Sequence, residues 1–163
     1  MILNQIPGIE VYVVHLVRDV RGVIYSWNKH KWDPSAGEFL RRYRPGRTIM
    51  AWVIRNLLTE LLAKRMSYLR LNYEDWVHRP KSALQEMVDL LEPTAGKILP
   101  FESENEIRLG PIHSVRGNPD RFASGLSIIQ LDDAWTHKLD KNTERLVRLL
   151  ASPLLRRYGY KHD

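Results

Sequence analysis

The sequence predicts an α/β fold: an incomplete parallel sheet of about two strands, flanked by several helices. Two observations carry that prediction. A β-branched, nearly continuously apolar run, Ile9–Val17, is followed at once by a helical segment, and a long amphipathic helix leads straight into a second short apolar run, Tyr68–Leu71. Strand–helix followed by helix–strand favours parallel pairing through a right-handed crossover. With 163 residues, 44% hydrophobic and 27% charged, the chain suits one domain, residues 1–163, with a core of its own.

Ile9–Val17 reads as a strand buried on both faces, since half-exposed strands alternate apolar with polar residues. Arg18-Asp19 ends it, and Asp19 caps a helix over Val20–Asn28. From Lys29 to Arg47 the periodicity collapses into a long basic loop, with one helical turn expected near Glu38–Arg42. Ile49, Val53, Leu57, Leu58, Leu61 and Leu62 then recur at helical spacing, which predicts a helix over Arg47–Arg65. Pro80 opens another, with Leu84, Met87, Val88 and Leu91 on one stripe. Four prolines between Glu92 and Phe122 predict mostly irregular chain. Asp132 or Asp133 caps a short helix around Ala134–Lys138, and Asp140 caps one over Lys141–Ala151 before Pro153 and the tail. Two strands leave the first without the neighbours that so apolar a strand needs, so its edge and nearby apolar surface should promote self-association.

Charge narrows the partners. The formal net charge of +6 attracts phosphate, sulfate or nucleic acid without choosing among them. Zero cysteines exclude a disulfide framework, a thiol nucleophile and cysteine-bound metal, and the histidines show no metal-ligand spacing. No apolar run reaches membrane length, and Met1–Pro7 does not read as a signal peptide. A cytoplasmic protein is therefore the expectation. His15, inside a strand, reads as a packed core histidine, and no catalytic triad is legible.

Arg18 stands at the carboxyl end of a strand beside a helix N-terminus, where open α/β sheets place ligands and where anions are favoured. Ser26 follows on the same helix, so one phosphate meeting both side chains is one reading, and a local ion pair with a cap is the other. Arg116-Gly117-Asn118 combines charge, a permissive backbone and an amide, which suits either an anion-holding loop or a plain tight turn.

Several motifs together resemble a known family. His15-Leu16-Val17-Arg18-Asp19-Val20-Arg21 with Tyr25-Ser26 is similar to the 3′-phosphate-binding segment of sulfotransferases that use 3′-phosphoadenosine 5′-phosphosulfate (PAPS). Tyr68-Leu69-Arg70-Leu71-Asn72-Tyr73-Glu74-Asp75-Trp76 resembles the family's following strand and turn. His113–Phe122 resembles the loop that closes over the nucleotide, and Asp133-Ala134-Trp135 with Pro153–Tyr160 resembles the C-terminal part of bacterial members. Val20 departs from the proline common at that place.

The resemblance implies a P-loop-type sheet and a parent activity of sulfuryl transfer from PAPS to an alcohol or amine on a small molecule or glycan. It implies that Arg18, Ser26, Arg116, Gly117 and Asn118 hold the 3′-phosphate of PAPS or of its product, 3′,5′-adenosine diphosphate (PAP), and that Tyr73 meets the adenine. Residues 29–47 fall where the family varies its acceptor lid. The family's Gly/Ser-rich phosphosulfate loop and its general base precede the Arg18 segment, and neither is found here. The chain is thus expected to correspond to the C-terminal part of a sulfotransferase domain, to keep mainly the 3′-phosphate and adenine half of the site, to supply no catalytic residue and to be inactive alone. The alternative is a basic module that binds nucleic acid or another polyanion through Lys29–Arg47, with Trp32 and Tyr43 interleaved. That scaffold shows no base-reading element, so nucleic acid is not the expected partner, and no metal is implied.

Overall fold

Strand β1 (Tyr12–Val17) and strand β4 (Ser67–Asn72) pair in parallel, with Tyr12 opposite Ser67 and Val17 opposite Asn72. The computed structural model describes residues 6–34, 36–91, 99–111 and 123–161. Between these strands run helix α1 (Val20–Asn28), a small hairpin of β2 (Trp32–Asp33) and β3 (Glu38–Phe39), and helix α2 (Pro45–Ala63). After β4 come α3 (Tyr73–His78) and α4 (Pro80–Leu91), then an antiparallel hairpin of β5 (Glu106–Leu109) and β6 (Gly125–Ile128). A 3₁₀ turn over Ala134–His137, α5 (Lys141–Leu150) and α6 (Ser152–Arg157) complete the described chain. This is an α/β fold with a small parallel sheet flanked by helices, as predicted.

Local chemistry explains most element ends. Asp19 accepts the Arg21 amide at 2.8 Å and so caps α1. Asp140 does the same for the Asn142 and Thr143 amides at the start of α5. Pro45 opens α2 earlier than the apolar periodicity suggested, because its fixed φ suits a first helical position. Pro153 likewise sits inside the first turn of α6 rather than ending the helical chain.

Three expectations are corrected. Residues 38–39 form a strand, not a helical turn: Gly37, at φ 67°, and Ala36 both donate their amides to Asp33 O and reverse the chain. Glu106-Ile107-Arg108-Leu109, inside the stretch read as irregular, has the period-two alternation of a strand and pairs with β6. And β1 is not buried on both faces. His15 and Val17 turn toward the helices, whereas Val14 and Leu16 remain 41% and 50% exposed, because β1 pairs with β4 alone among the described residues.

The core gathers Val17 at the end of β1 with Val20 and Ile24 of α1, Ile49 and Trp52 of α2, and Val147, Leu155 and Tyr158 from the C-terminal helices and tail. His15 is packed within it, as expected. Its Nε2–H donates to Asn56 Oδ1 at 2.7 Å, the Tyr68 hydroxyl meets Nδ1 at 2.8 Å, and Tyr158 lies edge-on. No described helix is long and apolar enough to cross a membrane.

Candidate anion-binding site

The backbone of Arg18 is pinned where β1 ends. Its carbonyl accepts the Trp52 indole N–H at 3.0 Å, and the neighbouring Val17 carbonyl accepts the Tyr160 hydroxyl at 3.1 Å. That hydroxyl shares its one proton between this carbonyl and Glu74 Oε2, which is nearer at 2.5 Å, and burial followed by the Glu74 contact raises it well above the ordinary tyrosine range. Glu74 is thereby a structural acceptor beneath the site, joining the tail, the turn after β4 and the Asp19 amide at 3.5 Å.

From that anchor the Arg18 side chain crosses the start of α1. Its guanidinium lies 4.3 Å from the centroid of the Tyr73 ring, so two residues expected in one site are brought into contact. Its Nη2 donates to the Asp132 carbonyl at 2.8 Å and lies 3.4 Å from Asp132 Oδ2. Its Nε is buried and finds no hydrogen-bond partner among the described residues. Gly22 makes this path available, because a Cβ there would stand 2.9 Å from Arg18 Nε and 3.1 Å from Trp135 Nε1. Arg21 occupies a separate pairing: it chelates the buried Asp19 carboxylate and stacks on Trp135, 4.7 Å from that ring's centroid. Asp19 therefore spends its charge on Arg21.

Lys29, just past α1, meets the same carboxylate oxygen: its Nζ is 3.0 Å from Asp132 Oδ2 and 4.7 Å from the Tyr25 centroid. Burial alone would raise the Asp132 carboxyl, but the hydrogen bonds and charges of Lys29 and Arg18 outweigh it and hold the group below its usual range. Two cations, one from before α1 and one from after it, thus share one anion. Asp132 does not cap the following turn, contrary to expectation, and Asp133 makes no side-chain cap bond either.

Ser26 lies half-buried on α1, but no contact joins it to Arg18 among the described residues. Arg116, Gly117 and Asn118, expected to complete the phosphate cage, lie outside the described residues. On the other side of Arg18 a cavity of about 260 Å³ is lined by His15, Trp27, Trp52, Arg55 and Asn56 among others. A second, of about 210 Å³, shares Trp27 and Arg55 with it and reaches Tyr43 and Arg47 at the end of the basic loop.

Gly22, Lys29, Asp132 and Trp135 are the residues that the sequence reading did not place in the site. Only Lys29 carried a signal, as the first cation after the helix. The Asp132 contacts span 103 and 114 residues of chain and leave no local pattern. Comparison with protein-family models, characterised proteins and solved structures returns no match for this chain.

Proposed function

We propose that this chain is a sulfotransferase-type protein whose Arg18 region holds the 3′-phosphate of PAPS or PAP. The observation that supports it most is the Arg18 side chain: largely buried at the carboxyl end of a parallel strand, laid against Tyr73, with one buried N–H unpartnered among the described residues and a second cation nearby. That arrangement fits an anion joined to a flat ring. Arg18 would hold the phosphate, with the Ser26 hydroxyl and the 116–118 segment as further ligands, and Tyr73 would fix the ring edge. The nucleotide, when bound, supplies an activated sulfuryl group. What these residues do is bind and orient it, with the acceptor alcohol or amine entering by the cavities between Trp27, Arg55 and Tyr43.

Transfer needs groups that position and charge-stabilise the moving sulfuryl group, and no glycine-rich phosphate loop occurs in these 163 residues. The chain alone should therefore bind PAP without turning over PAPS. A charge-assisted phosphate contact contributes about 1.5–3 kcal/mol. Association costs then leave a roughly millimolar to high-micromolar affinity. Calorimetric titration with PAP tests this reading: wild type should bind in that range, and Arg18→Ala should lose most of the affinity. Equal binding by Arg18→Ala, or robust PAPS turnover by the chain alone, would refute it.

A further inference from the structure

The shared carboxylate oxygen is the most informative atom of the site. Asp132 Oδ2 lies 3.0 Å from Lys29 Nζ and 3.4 Å from Arg18 Nη2, so it marks a point where an oxyanion is in reach of two cations at once. The side chains of Arg18, Lys29 and Asp132 retain 18%, 33% and 30% exposure, so the point opens to solvent and an exchange there needs no unfolding. Two positive charges against one negative leave the trio short of an anion. The hydrogen bond from Arg18 to Asp132 uses the backbone carbonyl at 2.8 Å, so the guanidinium keeps a neutral tether if the carboxylate swings away.

We propose that Asp132 is a resident counter-anion: its Oδ2 holds, between Arg18 and Lys29, the place that a phosphate oxygen takes on binding, which makes Lys29 a ligand of that anion and Asp132 the group it displaces. The inference rests on the reading of Arg18 as a phosphate site, and it adds two residues to that site. Asp132 keeps the two cations from repelling each other while the site is empty of ligand. It also sets a threshold, because a monoanion gains little by replacing a carboxylate, whereas a phosphate or pyrophosphate carries the extra charge that the trio lacks.

The test is calorimetric titration of wild type, Asp132→Asn and Lys29→Met with two probes, PAP and inorganic pyrophosphate, with thermal unfolding as the check on folding. Asp132→Asn should bind both probes about tenfold more tightly than wild type, and Lys29→Met about tenfold more weakly. A loss of affinity in Asp132→Asn would show that the carboxylate positions the cations rather than competing for them, and would overturn the proposal. So would an unchanged affinity in Lys29→Met, which stands as an independent variant should Asp132→Asn fail to fold. If pyrophosphate responds as expected while PAP binds to no variant, the counter-anion holds and the nucleotide reading fails.

Discussion

A methyl group added at position 22 would press on Arg18 Nε at 2.9 Å and on the Trp135 indole at 3.1 and 3.2 Å. Alanine in a helix is favoured over glycine by about 1 kcal/mol, which offsets part of the crowding. Gly22→Ala should therefore leave the thermal midpoint nearly unchanged while weakening PAP binding several-fold, because the side chains that give way are those of the site. A variant that binds PAP normally would show that Arg18 does not need this path. His15 gives a second test at this scale. Burial lowers its pKa from the ordinary 6.5, against the opposing hydrogen bond to Asn56. A depressed histidine contributes stability that is present above pH 6.5 and lost as pH falls through that value, because the unfolded chain then binds the proton first. The urea midpoint should drop between pH 7.5 and 5.5, and His15→Gln should flatten that dependence. At this scale the sequence was informative where a residue's role is local: Arg18 after its strand, Asp19 as a cap, His15 within an apolar run. The local pattern offers Asp132 or Asp133 only as a cap, because the partners of Asp132 are remote in the chain.

Elements were legible where apolar periodicity is long. The helix containing Val53 and Leu57, the α5 cap at Asp140 and the parallel pairing of the two strands all follow from pattern and order. Short hairpins were missed, because two-residue strands such as Trp32–Asp33 carry no periodicity and are set by the turn at Gly37. In the basic segment, the guanidiniums of Arg41 and Arg47 lie 5.7 and 5.0 Å from the Tyr43 centroid, and Tyr43 packs on Trp27. Of these two cations Arg47 lines, with Tyr43 and Trp27, the cavity of about 210 Å³, which Arg18 does not reach. Replacing Arg41, Arg42 and Arg44 with Gln should leave PAP affinity within about twofold. The same change would abolish salt-sensitive retention on heparin if the segment were instead a polyanion-binding arm. Loss of PAP binding would contradict its assignment as a lid.

For the whole molecule, apolar surface outruns what the described chain covers. Ile54, Leu58 and Leu61 form an exposed stripe on α2, with Leu61 58% exposed, Leu149 of α5 is 76% exposed, and β1 shows Val14 and Leu16 beside an edge with no described partner. Exposed strand edges and large apolar patches drive association. Sedimentation velocity should show concentration-dependent self-association, reduced by the pair Leu58→Glu and Leu61→Glu. A monodisperse monomer with a sharp, concentration-independent thermal transition would contradict this.

The claim on which the functional account turns is that Arg18 recognises a 3′-phosphate. Its most direct measurement is the ratio of dissociation constants for PAP and adenosine 5′-monophosphate, which differ only by that group, titrated into the same protein. PAP should bind at least about tenfold more tightly, equivalent to about 1.4 kcal/mol, and Arg18→Ala should erase the difference. Equal affinities in the wild type, or a preference for PAP that survives Arg18→Ala, would contradict the account.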